Sequence, residues 1–185
     1  MMKTGRIAVL ATALVVAPHQ VAFAGHHEGP AVDPSPVAVL DAQGATIGTA
    51  SFEQTPDGVL ISIDAKGLPP GEHGFHIHEK GICSPADGFA SAGGHFNPRA
   101  REHGFKATAG HHAGDMPNQF AGAEGNLRAV VLNTAVTMET GLNSLDDADG
   151  SALIIHAGMD DYATQPTGAA GGRLACAVIR PPRPM

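Results

Sequence analysis

The sequence predicts an all-β fold: a Greek-key antiparallel β-barrel or sandwich of about eight strands. Several short segments alternate apolar and polar residues, which is the pattern of half-buried strands. The 24 glycines and 14 prolines favour short strands joined by turns over long helices. Aromatic residues make up 4% of the chain and Trp is absent, so aliphatic side chains must fill the core.

The N-terminal 24 residues have the pattern of a secretory signal peptide. Lys3 and Arg6 precede an apolar run over 7–16 that is too short to span a bilayer, and A-x-A follows at 22–24. We expect cleavage before Gly25. The mature protein would then be periplasmic or secreted, with no membrane contact.

Residues 25–36 (GHHEGPAVDPSP) are expected to form a flexible leader, and His26 and His27 there have no assigned role. The strand pattern begins at Val37 and is clearest over 59–66, where Val59, Ile61, Ile63 and Ala65 alternate with Leu60, Ser62, Asp64 and Lys66. We expect one domain over 37–179 and an exposed Pro-rich tail over 180–185. Five further strands are predicted over 46–53, 74–79, 127–137, 151–156 and 173–179.

Charge and cysteine content narrow the class of partner. Without Lys3 and Arg6, nine basic residues oppose 18 acidic ones, so the mature chain is strongly acidic and nucleic acid is excluded as a partner. An anionic substrate would need a local positive site. Cys83 and Cys176 would form one disulfide in an oxidising compartment, with two buried free thiols as the alternative.

The segment 80–125 has little strand pattern and is rich in Gly, Asn, Pro and His. A structureless loop of this length is unusual in a compact domain unless covalent or metal bonds hold it. Cys83 lies at its start, and four of its residues are good metal ligands. We therefore predict a long, metal-binding loop.

The histidines are spaced as metal ligands. In a strand over 74–79, His76 and His78 would project on one face while Phe75 and Ile77 enter the core. The loop then supplies His95, His103, His112 and Asp115, a set of N and O donors suited to zinc. A later strand ends at His156, and Asp160 could hydrogen-bond the second nitrogen of a ligand ring. A single histidine could equally be structural, but the set indicates a metal centre.

Five segments in chain order resemble the copper–zinc superoxide dismutase family in its exported bacterial form: GFHIHEKGIC, AGGHFNP, HHAGDMPN, LIIHAGMDDY and GGRLACAVI. The resemblance covers roughly 37–179. It implies one copper and one zinc ion per subunit and superoxide as the substrate.

Carried over by position, the resemblance implies a copper site, a zinc site and two catalytic residues. Copper would bind His76, His78, His95 and His156; zinc would bind His95, His103, His112 and Asp115. His95 would bridge the metals and move a proton, and Arg173 would dock the anion. Asp160 would link His76 to His103, Cys83 would pair with Cys176, and His73 is interpreted as packing. His111, beside His112, receives no role.

Two departures from cytosolic members bear on the site. The segment between Cys83 and His95 is longer, and 161–172 carries no lysine, which leaves open how superoxide is steered. Lys80, Arg101 and Lys106 are the candidates for steering. Family members occur as monomers and as homodimers, and both states stay open.

Three other functions would each account for part of the sequence. A non-catalytic copper carrier on the same fold would usually lack part of the copper set or the arginine. An electron-transfer copper protein needs a thiolate ligand, for which neither cysteine is suited. A purely structural sandwich would leave the histidines without a function.

Overall fold

The computed structural model describes residues 1–2 and 35–184. The predicted signal peptide and nearly all of the leader, with His26 and His27, lie outside the described residues. Eight strands follow in chain order: β1 (Val37–Asp41), β2 (Thr46–Thr55), β3 (Gly58–Ala65), β4 (Gly71–His78), β5 (Asp115–Ala121), β6 (Leu127–Asn133), β7 (Ser151–His156) and β8 (Arg173–Arg180).

All eight strands belong to one antiparallel sheet, in the order β5-β4-β7-β8-β1-β2-β3-β6. The edge strands β5 and β6 approach each other, which makes the sheet a nearly closed barrel. The chain crosses the barrel between β3 and β4 and again between β6 and β7. These crossings give the predicted Greek-key topology.

The barrel interior holds the main core, and strand alternation decides which residues enter it. In β3, Val59, Ile61, Ile63 and Ala65 are buried, as predicted, while Asp64 is exposed. Phe75 and Ile77 of β4 are fully buried in the same cluster. Their neighbours His76 and His78 must therefore point out of the barrel, away from the main core.

A second, smaller core lies outside the barrel, beneath the loop that follows β4. It contains Phe89 and Ala92 of the loop, Ile154 of β7 and Cys176 of β8, all fully buried. Cys83 and Cys176 form the expected disulfide and fasten the loop to β8. Two short 3-10 helices, Pro85–Asp87 and Ala90–Ala92, shape this part of the loop.

The prediction that 80–125 forms one long loop was wrong at β5, which pairs with β4 from Gly71↔Ala121 to His76↔Asp115. Its sequence, DMPNQFA, has little strand propensity. Pro117 is tolerated because β5 is an edge strand that pairs on one side only. A polar edge strand therefore carries Asp115 to the site.

The structure includes the C-terminal tail to residue 184 but only residues 1–2 of the first 34. Among the described residues, no helix is long and apolar enough to cross a membrane. Strand β8 continues to Arg180, one residue further than predicted. The tail beyond it is exposed, yet Arg183 pairs with Asp146 at 3.2 Å and its N–H donates to Ala148 O.

Candidate metal centre

The site is built on the outer face of β4, β7 and β8, where two loops cover the barrel. The β4 residues His76 and His78 are both fully buried although they point away from the main core. The loop after β4 lies against this strand because Ile77 N–H donates to Gly114 O and Phe96 N–H donates to Ile77 O. A Cβ at Gly114 would come within 2.2 Å of Ile77 O, so this approach requires glycine.

Four buried imidazoles converge on the first of two groups: His76, His78, His95 and His156. The donor atoms of the group lie within 4.8 Å of one another. His78 Nε2 is 3.4 Å from His156 Nε2. His76 Nδ1 and His95 Nε2 are buried with no hydrogen-bond partner among the described residues. Buried polar atoms are normally paired, so these two nitrogens fit a metal ion between them.

The second group gathers three imidazoles around one carboxylate oxygen. Asp115 Oδ1 lies 2.8 Å from His95 Nδ1, 3.1 Å from His103 Nδ1 and 3.3 Å from His112 Nδ1. Asp115 Oδ2 accepts from the backbone N–H of Gly104 and of His112, which fixes the carboxylate. Three imidazole nitrogens and one carboxylate oxygen form a donor set that suits tetrahedral zinc.

His95 belongs to both groups and is their only shared member within the described residues. Its Nδ1 faces Asp115, while its unpartnered Nε2 lies on the side of the first group. The ring centroid is 4.1 Å from that of His76 and 5.1 Å from that of His103. One imidazole thus has a nitrogen for each cluster.

Asp160 connects the two groups from behind. Its Oδ2 lies 2.8 Å from His76 Nε2 and its Oδ1 lies 3.0 Å from His103 Nε2. Because Asp160 engages the nitrogens that do not face the clusters, it leaves the inner nitrogens free to bind metal. His78 is oriented similarly, with Nδ1 2.9 Å from Gly93 O.

Burial keeps three imidazoles of the first group neutral, those of His78, His95 and His156. Burial, with the nearby charge of His76, lowers the pKa of His95 to about 4 and that of His156 to about 3. Burial and His95 also hold the pKa of His78 well below its ordinary value. Neutral imidazole is the form that binds metal, so these groups are ready to do so at neutral pH.

Hydrogen bonding lowers the pKa of the buried carboxyl groups of Asp115 and Asp160 and so favours their charged form. Burial alone would raise the pKa of Asp115, but hydrogen bonds from His103, His112, His95 and the Gly104 N–H hold it far below its ordinary value. The pKa of Asp160 falls to about 2, since hydrogen bonds from His76 and His103 outweigh burial. Burial lowers the pKa of His103, yet its bonds to both carboxylates produce a net rise.

Arg173 supplies the positive charge beside the first group. A register shift between Ile155 and His156 places Arg173 directly across from His156 in the β7–β8 pair. The guanidinium donates to Phe89 O and, at 2.6 Å, to Gly93 O. Burial lowers its pKa, with Asp87 partly offsetting the effect. The loop backbone thus holds this arginine in place.

His73, interpreted from the sequence as packing, is buried and also lies close to two backbone carbonyls. Its ring is 2% exposed, with Nδ1 2.7 Å from His156 O and Nε2 2.7 Å from Pro69 O. It therefore ties the backbone of one first-group residue to the turn before β4. Its place three residues before His76 was the available signal, but no local pattern points to partners on another strand.

Of the basic residues proposed for steering, Arg101 and Lys106 have side chains that hydrogen-bond to backbone carbonyls. Arg101 donates to Ala109 O at 2.8 Å, and Lys106 Nζ donates to Asp161 O at 2.7 Å. His111 stacks edge-on against Phe105, with ring centroids 4.7 Å apart, and lies outside both groups. Lys80 follows β4, and its backbone N–H donates to Ala92 O, next to Gly93.

Comparison with known proteins gives a consistent result. The sequence profile of the family described as copper/zinc superoxide dismutase matches residues 46–179. Superoxide dismutase [Cu-Zn] 2 of Aquifex aeolicus is 51% identical over 144 residues, 77% of this chain and 84% of that protein.

Two solved structures share the fold. A superoxide dismutase-like protein from Bacillus subtilis has a TM-score of 0.75 and 40% identity, over 78% of this chain and 97% of that one. The Cu/Zn superoxide dismutase of Brucella abortus has a TM-score of 0.64 and 28% identity, over 79% and 99% respectively.

Proposed function

Because this chain belongs to the copper/zinc superoxide dismutase family, we propose that its first histidine group holds one copper ion and its second holds one zinc ion. The protein is an oxidoreductase that acts on superoxide and converts it to dioxygen and hydrogen peroxide. The proposed copper ligands are His76, His78, His95 and His156. The proposed zinc ligands are His95, His103, His112 and Asp115.

The observation that carries this proposal is the placement of His95. A ring that presents one nitrogen to an N/O cluster and an unpartnered buried nitrogen to an all-imidazole cluster is suited to two different metals. Copper, when bound, supplies one-electron oxidation and reduction of superoxide, and zinc supplies a fixed positive charge beside the shared ring.

The chain's own groups would supply the proton and dock the substrate. His95 Nε2, when free of metal, is the nitrogen that can carry a proton toward the reduced product, while Nδ1 stays with the zinc group. Arg173 would dock the superoxide anion with its guanidinium, held by Phe89 O and Gly93 O. Asp160 would fix the positions of the His76 and His103 rings relative to each other.

We also propose that the mature protein acts outside the cytoplasm. The charged start, short apolar run and A-x-A site of the first 24 residues support export. The buried disulfide supports an oxidising compartment. N-terminal mass analysis of the exported protein tests the cleavage site, and a mature chain that keeps residues 1–24 would contradict export by this route.

Metal analysis combined with a superoxide-consumption assay tests the whole proposal. We expect about one copper and one zinc per chain and rapid dismutation in the loaded protein. An H95A variant keeps three residues of each group but removes the ring that both groups share. Binding of one metal should then no longer affect binding of the other. Stable binding of both metals without turnover would contradict the enzyme and favour a copper carrier instead.

A further inference from the structure

The solvent-exposed residue Gln165 is bound to the backbone of a proposed zinc ligand from a different loop. Gln165 Oε1 accepts from His103 N–H at 2.7 Å, and Gln165 Nε2 donates to His103 O at 2.9 Å. The two residues are 62 positions apart. The side-chain amide thus exchanges a pair of hydrogen bonds with one residue's backbone, as a neighbouring β-strand would.

This contact completes the hydrogen bonding of His103. Asp160 binds His103 Nε2, and Gln165 binds both backbone groups. Only Nδ1, which faces Asp115 in the second group, is left to bind a metal. Three of the four polar groups of His103 are therefore held by the segment 160–165.

The amide of Gln165 is itself held. Its Nε2 also donates to Ala163 O at 3.1 Å, so the side chain is oriented by its own loop before it meets His103. The two loops meet again where Lys106 N–H donates to Tyr162 O. Gly168 lets this segment pass close: it has φ +68°, and a Cβ there would lie 2.6 Å from His103 Nε2.

We infer that Gln165 is a positioning residue for zinc, holding the backbone of His103 so that Nδ1 keeps its place in the donor set. This inference rests on the proposed role of His103 as a zinc ligand. Groups that orient a metal ligand typically affect affinity by about 10–100-fold. Because Gln165 is exposed and water competes for its bonds, we expect the lower end, roughly tenfold.

The test compares Q165M with the parent, since Met keeps the length of the side chain and removes both hydrogen bonds to His103 together with the one to Ala163 O. Zinc affinity is measured on the full mature chain by competition with a chromophoric chelator, and zinc release is followed after adding excess chelator. We expect Q165M to bind zinc roughly tenfold more weakly and to release it faster. In the zinc-loaded protein, the His103 amide should also exchange faster by NMR.

Q119M is the matched control, because the Gln119 side chain donates to Pro117 O on β5 and hydrogen-bonds to no proposed ligand among the described residues. Its zinc affinity should equal that of the parent. Measuring affinity well below the unfolding temperature of each variant separates positioning from stability, because a purely structural role would lower that temperature and leave affinity unchanged.

Two outcomes would overturn the inference, and they are distinguishable. If Q165M and the parent bind and release zinc alike, Gln165 does not position the ligand although His103 still binds zinc. If the parent takes up no zinc, the proposed zinc site is wrong and this inference falls with it.

Discussion

Single side chains at this site serve two partners, one through each of two atoms. His95 presents one ring nitrogen to each group, and Asp160 gives one carboxylate oxygen to His76 and the other to His103. A change at either residue should therefore affect both groups. Arg173 differs, because it lies beside the first group and supplies no donor atom to it.

Replacing Arg173 should separate substrate docking from metal binding. We expect R173A to lower the second-order rate constant for superoxide by roughly 10–100-fold, since one preorganised charged donor is lost from the site. Copper and zinc content should stay at parental levels. R173K should recover little of the rate, because an ammonium cannot reproduce the planar fork held by Phe89 O and Gly93 O.

The control for Arg173 is R128Q, since Arg128 is exposed and forms an ion pair with Asp64 on the far side of the sheet. Pulse radiolysis gives the rate constants and mass spectrometry the metal content. Loss of metal from R173A, or a rate equal to that of the parent, would contradict the docking role.

At the scale of elements, the site is covered by loops and lies outside the main hydrophobic core. The Cys83–Cys176 disulfide and a small apolar cluster hold the start of the segment between β4 and β5. Phe96 and Ala113 of the same segment pack into the main core, and we expect the imidazoles and Asp115 to hold the residues between them when metal is bound. The strand β5 behind them is fixed by its pairing with β4.

Removing zinc should loosen the loop and leave the strand. We expect amide exchange to rise over residues 96–114 and to change little over 115–121, because the latter are held by strand hydrogen bonds. Hydrogen–deuterium exchange with mass spectrometry compares the zinc-loaded and metal-free forms, with β3 as the internal control. Equal exchange over 96–114 in both forms would show that metal does not order this loop.

The basic residues proposed to steer superoxide lie in the same segment between β4 and β5. Lys106 and Arg101 are held by backbone carbonyls, whereas the Lys80 ammonium has no hydrogen-bond or ion-pair partner within the part of the chain described. Lys80 also follows β4 and lies beside the backbone of Ala92, close to the carbonyl that holds Arg173. We therefore expect Lys80 to contribute most.

The K80Q variant should lower the dismutation rate at low ionic strength, and the difference from the parent should shrink as salt screens the charge. R101Q and K106Q should have smaller effects. Rate constants measured across ionic strength test this, with metal content as the check. A salt dependence that none of the three substitutions alters would rule out steering by these residues.

At the scale of the whole molecule, folding keeps some histidines in their neutral form although the protein is acidic. The chain has a formal net charge of −7, yet the buried His95 and His156 resist protonation because burial opposes the charged form. In the unfolded chain those histidines titrate near 6.5. The two states therefore bind different numbers of protons in mild acid.

The metal-free protein should lose stability as pH falls from about 6.5 towards 3. In that window the unfolded state protonates His95 and His156 while the folded state does not, so acid favours unfolding. The lowered pKa of Asp160 adds to the loss between 3.8 and about 2. His103, whose pKa is raised, opposes the trend, but it is one group against several.

Chemical denaturation of the metal-free protein at pH 7, 5.5 and 4.5 measures this. An H156Q variant should show a shallower dependence, because it lacks one of the histidines that resist protonation. A free energy of unfolding that is constant or rises towards acid would contradict the prediction.

Much of the fold and site was predictable because the signals are local. Alternation in β3 and β4 follows from the geometry of a strand, so it assigned Phe75 and Ile77 to the core and His76 and His78 to the other face. The strand β5 was missed because an edge strand with Pro117 is stabilised by its partner β4 rather than by its own residues.

By itself, the sequence determined the all-β class, the family and the residues that gather into two metal-binding groups, because residue type and spacing carry that information. Only the tertiary structure decided which distant atoms meet: Arg173 opposite His156 through a register shift, His73 on the backbone of His156, and Gln165 on the backbone of His103. These contacts depend on how the loops cross the barrel. No local pattern records that path, since the partners lie tens of residues apart and bind through backbone atoms that every residue shares.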